Sequence, residues 1–389
     1  MLQPIRREQF PDSAVVALHG PYATGIFVAL GELGVSDAMI VCGENLGKSD
    51  AVRSLMAGAP EGVKFSIFDQ VEPDPSDETI KAGGLAACDA GAQAVVAVGG
   101  GSSMDAAKAI AAEATDIGWI AAQDQPGQPT AIERDPLPIV AVPTTAGTAS
   151  EVTPFSVITF AASRRKLVLN HPTLLARFAV LDPALLVSGP RSVRVAAGMD
   201  ALTHAVESFV SKQATPATRA RCREAIELIG RFLRRVASDA NDMEAEEGMQ
   251  RAAFLAGLAF SKTRLGIVHA TALPLSALFH VPHGLANAIL LPYGMRFNHL
   301  ADAEGFAQIA RALGADVAAM DDHAAAQAAA ETVEALADDI GAPRRMSDVG
   351  VAREAIERMA DDAMPSAHLK VNPHEVARED IIALYDEAF

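Results

Sequence analysis

Asp200 and His204 in GMDALTHAVES, with His269 and His283 in GIVHATALPLSALFHVPHG, are the residues of this chain whose types could do chemistry together. One carboxylate and three imidazoles suit a divalent transition ion such as Fe(II) or Zn(II). Asp200 and His204 stand four apart, so on a helix they share one face, one turn from each other. His269 and His283 stand fourteen apart. On one unbroken helix they would lie about 21 Å apart along the axis, so they can share an ion only if the chain bends between them. Pro274, Pro282 and Gly284 supply candidate bends. The plainer alternative is a set of hydrogen-bonded core histidines. Against it, three of the ten histidines fall between 269 and 283, inside an apolar, small-residue segment. Buried ionisable groups are costly unless paired or metal-bound.

A second chemical signal lies upstream. The run AVVAVGG leads straight into GGGSSMDAAKAIA (99–111). Consecutive glycines let backbone approach a ligand closely and adopt positive φ. Ser102 or Ser103 can cap the helix that follows and leave its free N–H groups facing an anion, with Asp105 in the first turn. The pattern is not GxGxxG, so the ordinary Rossmann fingerprint is absent, and a glycine turn after a strand is often only a turn. A further cluster, VPTTAGTASEVTPFSVIT (142–159), gathers Thr144, Thr145, Thr148 and Ser150 around Gly147. It reads either as a Ser/Thr-rich loop satisfying its own backbone or as a second ligand loop beyond the carboxyl end of a strand.

The elements that must hold these groups differ between the two halves. AMIVCG (38–43), KFSIFD (64–69), AVVAVGG (94–100), PIVAVPTT (138–145), RKLVLN (165–170) and ARFAVLD (176–182) read as strands bounded by Gly, Pro or polar turn residues. Helical patterns at about 47–58, 76–90 and 102–115 alternate with them, which predicts an α/β domain built on a parallel sheet. From about 188 onward only helical periods appear, predicting an all-helical domain. LDPALLVSGP holds two prolines and a glycine, so the division is placed there, giving domains 1–187 and 188–389.

Bulk composition excludes several functions. The net charge of −17 disfavours nucleic-acid binding. No apolar run approaches the ~20 residues of a membrane span, and the N-terminus lacks a signal-peptide core. Cys42, Cys88 and Cys222 form no CxxC or disulfide framework, which fits a reducing cytoplasm.

GGGSSMDAAKAIA, VPTTAGTASEVT, LDPALL, GMDALTHAVES and GIVHATALPLSALFHVPHGLANAILLPYGMRFN together resemble the iron-containing (group III) alcohol dehydrogenases, lactaldehyde reductase-like members above all, within the dehydroquinate synthase-like superfamily. The resemblance spans nearly the whole chain. It implies an α/β dinucleotide-binding domain, a helical domain carrying Fe(II), or Zn(II) in some members, and hydride transfer between NAD or NADP and a small alcohol or aldehyde. It places the metal ligands on Asp200, His204, His269 and His283. The nucleotide-binding positions fall on Gly100, Gly101, Ser102, Asp105, Thr144, Thr145 and Thr148, and Lys166 falls near the nicotinamide ribose. It also implies a homodimer, for which the strand region VVAL (15–18) offers a subunit edge. A superfamily lyase of the dehydroquinate synthase type, a maleylacetate reductase-like enzyme and a metal-dependent hydrolase or binding protein are the alternatives.

Two positions depart from the family pattern. Many members place a proton-transferring histidine where this chain has Leu273, and His280 is the nearest candidate to replace it. NAD-preferring relatives often carry Asp after the second strand, where this chain has Gly43. Its loss removes a repulsion against a 2′-phosphate, while the adjacent Glu44 leaves the choice between NAD and NADP open.

Overall fold

A computed structural model describes residues 4–124, 131–163 and 165–389, and divides them into two compact units. The first comprises the residues up to Thr145 together with Ser150–Leu185. It contains nine strands: β1 (Arg6–Gln9), β2 (Val16–His19), β3 (Asp37–Val41), β4 (Lys64–Phe68), β5 (Ala94–Gly99), β6 (Ile139–Pro143), β7 (Phe155–Phe160), β8 (Arg165–Asn170) and β9 (Phe178–Leu181). Seven of them form one sheet in the order β1-β2-β9-β6-β5-β3-β4, parallel throughout except for β1, and β7 with β8 form a separate antiparallel hairpin.

Period-two alternation decides the two faces of the sheet. Met39, Val41, Val95, Ala97, Ile139 and Ala141 face one core cluster, while Ala38, Ile40, Val96, Val98, Val140 and Val142 face the other. Both faces are thus dry, which is why β5 and β6 read as continuous apolar runs rather than as alternating ones. The chain runs outward from β3 to β4, then returns to place β5 on the other side of β3. Strand order therefore reverses between β3 and β5, and in such sheets a ligand crevice opens at the carboxyl ends on either side of that reversal.

Two expectations need correction, and one strand went unread. The VVAL region is not a sheet edge, because β2 pairs with β1 on one side and β9 on the other. The edge on that side is β1, which sequence reading missed because RREQ carries no apolar alternation. Phe155–Phe160, read as part of a Ser/Thr loop, is a strand.

The second unit comprises Leu186–Phe389 and the short segment Ala146–Ala149. Its centre is the helix Arg191–Val210, buried all round from Gly198 to its end. A helix apolar on every side belongs in a core, and Pro216–Ser238, Met243–Thr263 and His283–Asn298 all pack against it. Among the described residues no helix is long and apolar enough to cross a membrane.

Candidate functional site

In the first unit, the loops following β3, β4, β5 and β6 line an open cavity of about 910 Å³. Gly43, Glu44 and Lys48 come from the first loop, Asp69 and Glu72 from the second, Gly99–Ser103 from the third and Thr144 from the fourth. Gly99 has a φ of 147° and could not carry a side chain, since a Cβ there would lie 2.3 Å from Ser103 Oγ. The expectation of a serine cap fails. Gly100 is the N-cap of the helix Gly101–Glu113 and provides no side-chain acceptor, so the free N–H groups of the first turn are available to an anion.

Gly43, Gly100, Gly101, Ser102 and Thr144 line this cavity as expected, but Asp105, Thr145, Thr148 and Lys166 do not. Thr145 packs against Gly100, its Oγ1 3.3 Å from where a Cβ would stand. Asp105 is engaged internally: Oδ1 accepts from Ser150 Oγ at 2.7 Å and Oδ2 from the Val157 N–H at 3.0 Å. Lys108, 1 % exposed, adds bonds of 2.6 Å to Ser150 Oγ and to the Phe155 carbonyl. Burial pulls its pKa down to about 8, against the pull of Asp105 and Glu151. Asp105 and Lys108 thus tie the phosphate-side helix to the β7–β8 hairpin. Lys166 pairs with Asp74 at 2.6 Å, and the Asp74 N–H donates to Ser102 Oγ at 3.3 Å. Thr148 belongs to the second unit.

In the second unit the four expected donors do meet. Asp200 and His204 project from the Arg191–Val210 helix, His269 from the helix Ile267–Phe279, and His283 is the first residue of the helix His283–Asn298. Nε2 of His204, His269 and His283 lie 3.7, 3.8 and 3.8 Å from Asp200 Oδ1. Asp200, His269 and His283 form the tightest group, their donor atoms within 4.8 Å of one another, and His204 stands just outside it. Bonds of about 2.1 Å in a tetrahedral site separate donors by about 3.4 Å, so small side-chain movements close the set on one ion. Pro274 does not provide the bend, as it lies inside its helix. The chain turns instead at His280, which ends that helix in the left-handed conformation, and at Pro282, the N-cap of the next. Gly284 permits the approach: a Cβ there would sit 2.5 Å from the Ala196 carbonyl oxygen and 3.2 Å from Asp200 Cβ.

Two further residues complete this cluster. Asn287, one turn after His283, directs Nδ2 to Asp200 Oδ1 at 2.7 Å and to Nε2 of His269 and His283 at 3.1 and 3.2 Å, while its Oδ1 is buried without a partner. One amide has two hydrogens for three acceptors. The cluster therefore holds a surplus of lone pairs converging on one electropositive point, as a cation site requires. Glu207 Oε2 holds His269 Nδ1 at 2.6 Å, and its Oε1 accepts from the Val268 N–H at 2.7 Å. This fixes the His269 proton on Nδ1 and leaves the Nε2 lone pair free, the arrangement typical of metal-binding histidines. Asp200, His204, Glu207 and His269 are all 4 % exposed or less. Burial, then the neighbouring imidazoles, holds the His269 pKa well below the usual value. Burial lowers that of His204 against the pull of Asp200. For Asp200 burial acts to raise the pKa, but the three imidazoles and Asn287 outweigh it and the net direction is down. The directions at His204, His269 and Asp200 favour unprotonated donors, which metal binding demands.

His280 is exposed, and among the described residues no hydrogen bond or ring contact joins it to the cluster. Its left-handed φ of 56° serves the helix end. Leu273 is half-buried. The histidine that does approach is His368, half-buried, with its ring centroid 6.2 Å from that of His269. Its Nδ1 accepts from the Leu265 N–H at 3.3 Å, so in the neutral ring the proton sits on Nε2. Glu207 was legible at i+7 from Asp200 and i+3 from His204, and Asn287 at i+4 from His283. His368 carries no local signal.

Comparison with known proteins adds an independent line. The profile of the iron-containing alcohol dehydrogenases matches residues 22–183, and that of the C-terminal part of the Fe-containing alcohol dehydrogenase family matches residues 194–389. The chain is 38% identical over 336 residues to a 1,3-propanediol dehydrogenase of Klebsiella pneumoniae, covering 84% of each chain. It is 38% identical over 329 residues to a lactaldehyde reductase of Escherichia coli K12, covering 84% of this chain and 85% of that one. The structure of sulfoacetaldehyde reductase from Bifidobacterium kashiwanohense in complex with NAD+ superposes with a TM-score of 0.89 at 28% identity, covering 97% of both chains.

Proposed function

The chain belongs to the iron-containing alcohol dehydrogenase family, and on that premise we propose that Asp200, His204, His269 and His283 hold a divalent iron that serves hydride transfer between a nicotinamide dinucleotide and a small alcohol or aldehyde. The observation that carries this reading is the convergence of three imidazole Nε2 atoms on one oxygen of the buried Asp200. Iron is preferred because four protein donors are present, whereas catalytic zinc usually takes three. Zinc binds most such sites more tightly than Fe(II), so supply decides occupancy in the cell.

A divalent ion held by these donors supplies Lewis acidity to the substrate oxygen. The chain's own residues do the rest. Glu207 keeps the His269 Nε2 lone pair facing inward, and Phe260 stacks on His204 at 4.3 Å between centroids, fixing the plane of that ring. Gly100, Gly101, Ser102 and Thr144 are assigned to the dinucleotide phosphates, with Gly43 beside the adenosine end. Asp105, Thr145 and Lys166 act one step back, by holding the hairpin and the glycine turn that shape this cavity. Leu273 offers no proton acceptor and His280 makes no contact with the cluster among the described residues, so neither side chain is assigned the hydroxyl proton. We further infer a homodimer in the cytoplasm, in keeping with the family resemblance and with three free cysteines.

The test is an anaerobic reconstitution of metal-free protein with Fe(II) or Zn(II). Turnover is followed on short alcohols, diols and aldehydes with NAD(H) and NADP(H), beside His269→Ala. Metal-dependent turnover is expected, together with a folded variant that neither binds metal nor reacts. Full activity without metal, or no reduced cofactor from any alcohol, overturns the reading.

A further inference from the structure

The cavity of the first unit carries an unused carboxylate. Asp69, just past the end of β4, lines it and makes no hydrogen bond and no ion pair within 4 Å among the described residues. Every other charge there is committed. Glu44 is bound by Lys48, and Glu72 accepts from the Ser76 N–H at 2.9 Å and from Thr79 Oγ1 at 2.8 Å. The place of Asp69 is built rather than incidental. The short turn of helix Glu44–Gly47 rests directly on it, and a Cβ on Gly47 would fall 2.5 Å from Asp69 Cβ.

The cavity is polarised along its length. Gly99–Ser103 and the start of the Gly101–Glu113 helix form an end suited to phosphate. The loops past β3 and β4 bring the carboxylates Glu44 and Asp69 and the cation Lys48, while Glu72 leads into Asp74, whose N–H reaches Ser102 of the glycine turn. A ligand with its pyrophosphate on the glycine turn lays its adenosine across β3 toward β4. Gly43 presents no side chain to it, and a Cβ there would meet only the Val71 carbonyl oxygen, at 3.2 Å. A carboxylate with no hydrogen bond of its own accepts hydrogen bonds from both hydroxyls of a ribose diol without displacing an existing partner. The same carboxylate repels a 2′-phosphate, which carries close to two negative charges.

We propose that Asp69 binds the adenosine ribose diol and makes this protein selective for NAD(H) over NADP(H), from the strand next to the one that bears Gly43. The inference rests on the reading that this cavity holds the dinucleotide, and it assigns the choice of cofactor to a residue outside the usual position. Lys48 bonds Glu44 directly and feels the charge of Asp69 from beyond ion-pair distance, so it leaves both Asp69 oxygens open to a ligand.

The experiment measures the affinities of NADH and NADPH by fluorescence, and kcat/KM with each, for the wild type, Asp69→Asn and Asp69→Ser. Thermal unfolding and metal content serve as controls. Wild type is expected to favour NADH by at least tenfold. Both variants should lose at least tenfold in NADH affinity while NADPH affinity holds or rises, so that the ratio shifts even if one variant is less stable. A wild type that favours NADPH, or variants with an unchanged ratio, overturns the role of Asp69. A wild type that binds neither nucleotide overturns the assignment of the cavity itself.

Discussion

Replacing Glu207 by Gln tests whether the proton on His269 is placed for metal binding. The two carboxylate oxygens serve two donors, Val268 N–H at 2.7 Å and His269 Nδ1 at 2.6 Å. Gln has one acceptor oxygen and so can serve only one of them. If it keeps Val268, its amide NH2 faces Nδ1. Nδ1 must then become an acceptor, and the ring proton moves to Nε2, the atom directed at Asp200. If it keeps His269, the buried Val268 N–H is orphaned, which costs about 1–3 kcal/mol. Either way the ligating tautomer is disfavoured by a comparable amount, which matches the 10–100-fold loss typical of a missing partner behind a metal-binding histidine. We expect Glu207→Gln to weaken Fe(II) or Zn(II) binding about 10–100-fold, or about 1.4–2.7 kcal/mol, with little change in the circular dichroism of the metal-free protein. The assay is competition against a chelator of known affinity. Affinity within twofold of wild type would show that Glu207 does not set the His269 tautomer.

Three further outcomes follow from local geometry. Arg264 holds φ 56° and ψ −169° at the end of its helix, a region that costs a non-glycine residue about 1–3 kcal/mol. Arg264→Gly, after its own entropy cost of up to about 1 kcal/mol, should raise Tm by a few degrees, and a lower Tm would contradict the strain. Glu246 is raised to about 7 by burial, against the pull of Arg194. A raised folded pKa means stability is fullest below the unfolded value near 4.5 and is lost as pH rises toward 7. Glu246→Gln should flatten that slope in denaturant titrations, though not abolish it, since burial also lifts Glu151 to about 7; an unchanged slope would refute the assignment. Gly284→Ala drives a methyl onto the Ala196 carbonyl oxygen at 2.5 Å. It should cost about 1–3 kcal/mol and weaken metal binding by shifting His283, and chelator competition matching wild type would refute this.

The site was more legible than its supports. Asp200 and His204 announce themselves through spacing on one helix, and the buried strands through unbroken apolar runs. What the sequence hides is long-range commitment. Asp105 looks like a ligand to an anion-binding turn, yet Ser150 and Val157, far along the chain, already occupy both its oxygens. Lys166 is likewise spent on Asp74. Conversely Asp69 looks like an ordinary strand-end acid, and only the lack of a hydrogen bond or ion pair to its carboxylate among the described residues sets it apart. The β1 strand escaped notice because its pairing stabilises it through backbone bonds, while its side chains stay polar and largely exposed.

The four donors are unequally sheltered: Asp200, His204 and His269 side chains are 5 % exposed or less, but that of His283 is 38 % exposed. His283 also begins a helix, so it can rotate outward without breaking a helical turn behind it. Exchange of a bound ion would then have one door, at His283. Were an ion bound there, Asp200, His204 and His269 would hold it from buried positions and His283 would be the donor facing solvent. Residence time becomes a property separable from affinity. Packing that stiffens His283 would prolong retention of whichever ion arrived first, and loosening it would let the protein re-equilibrate with the metals around it.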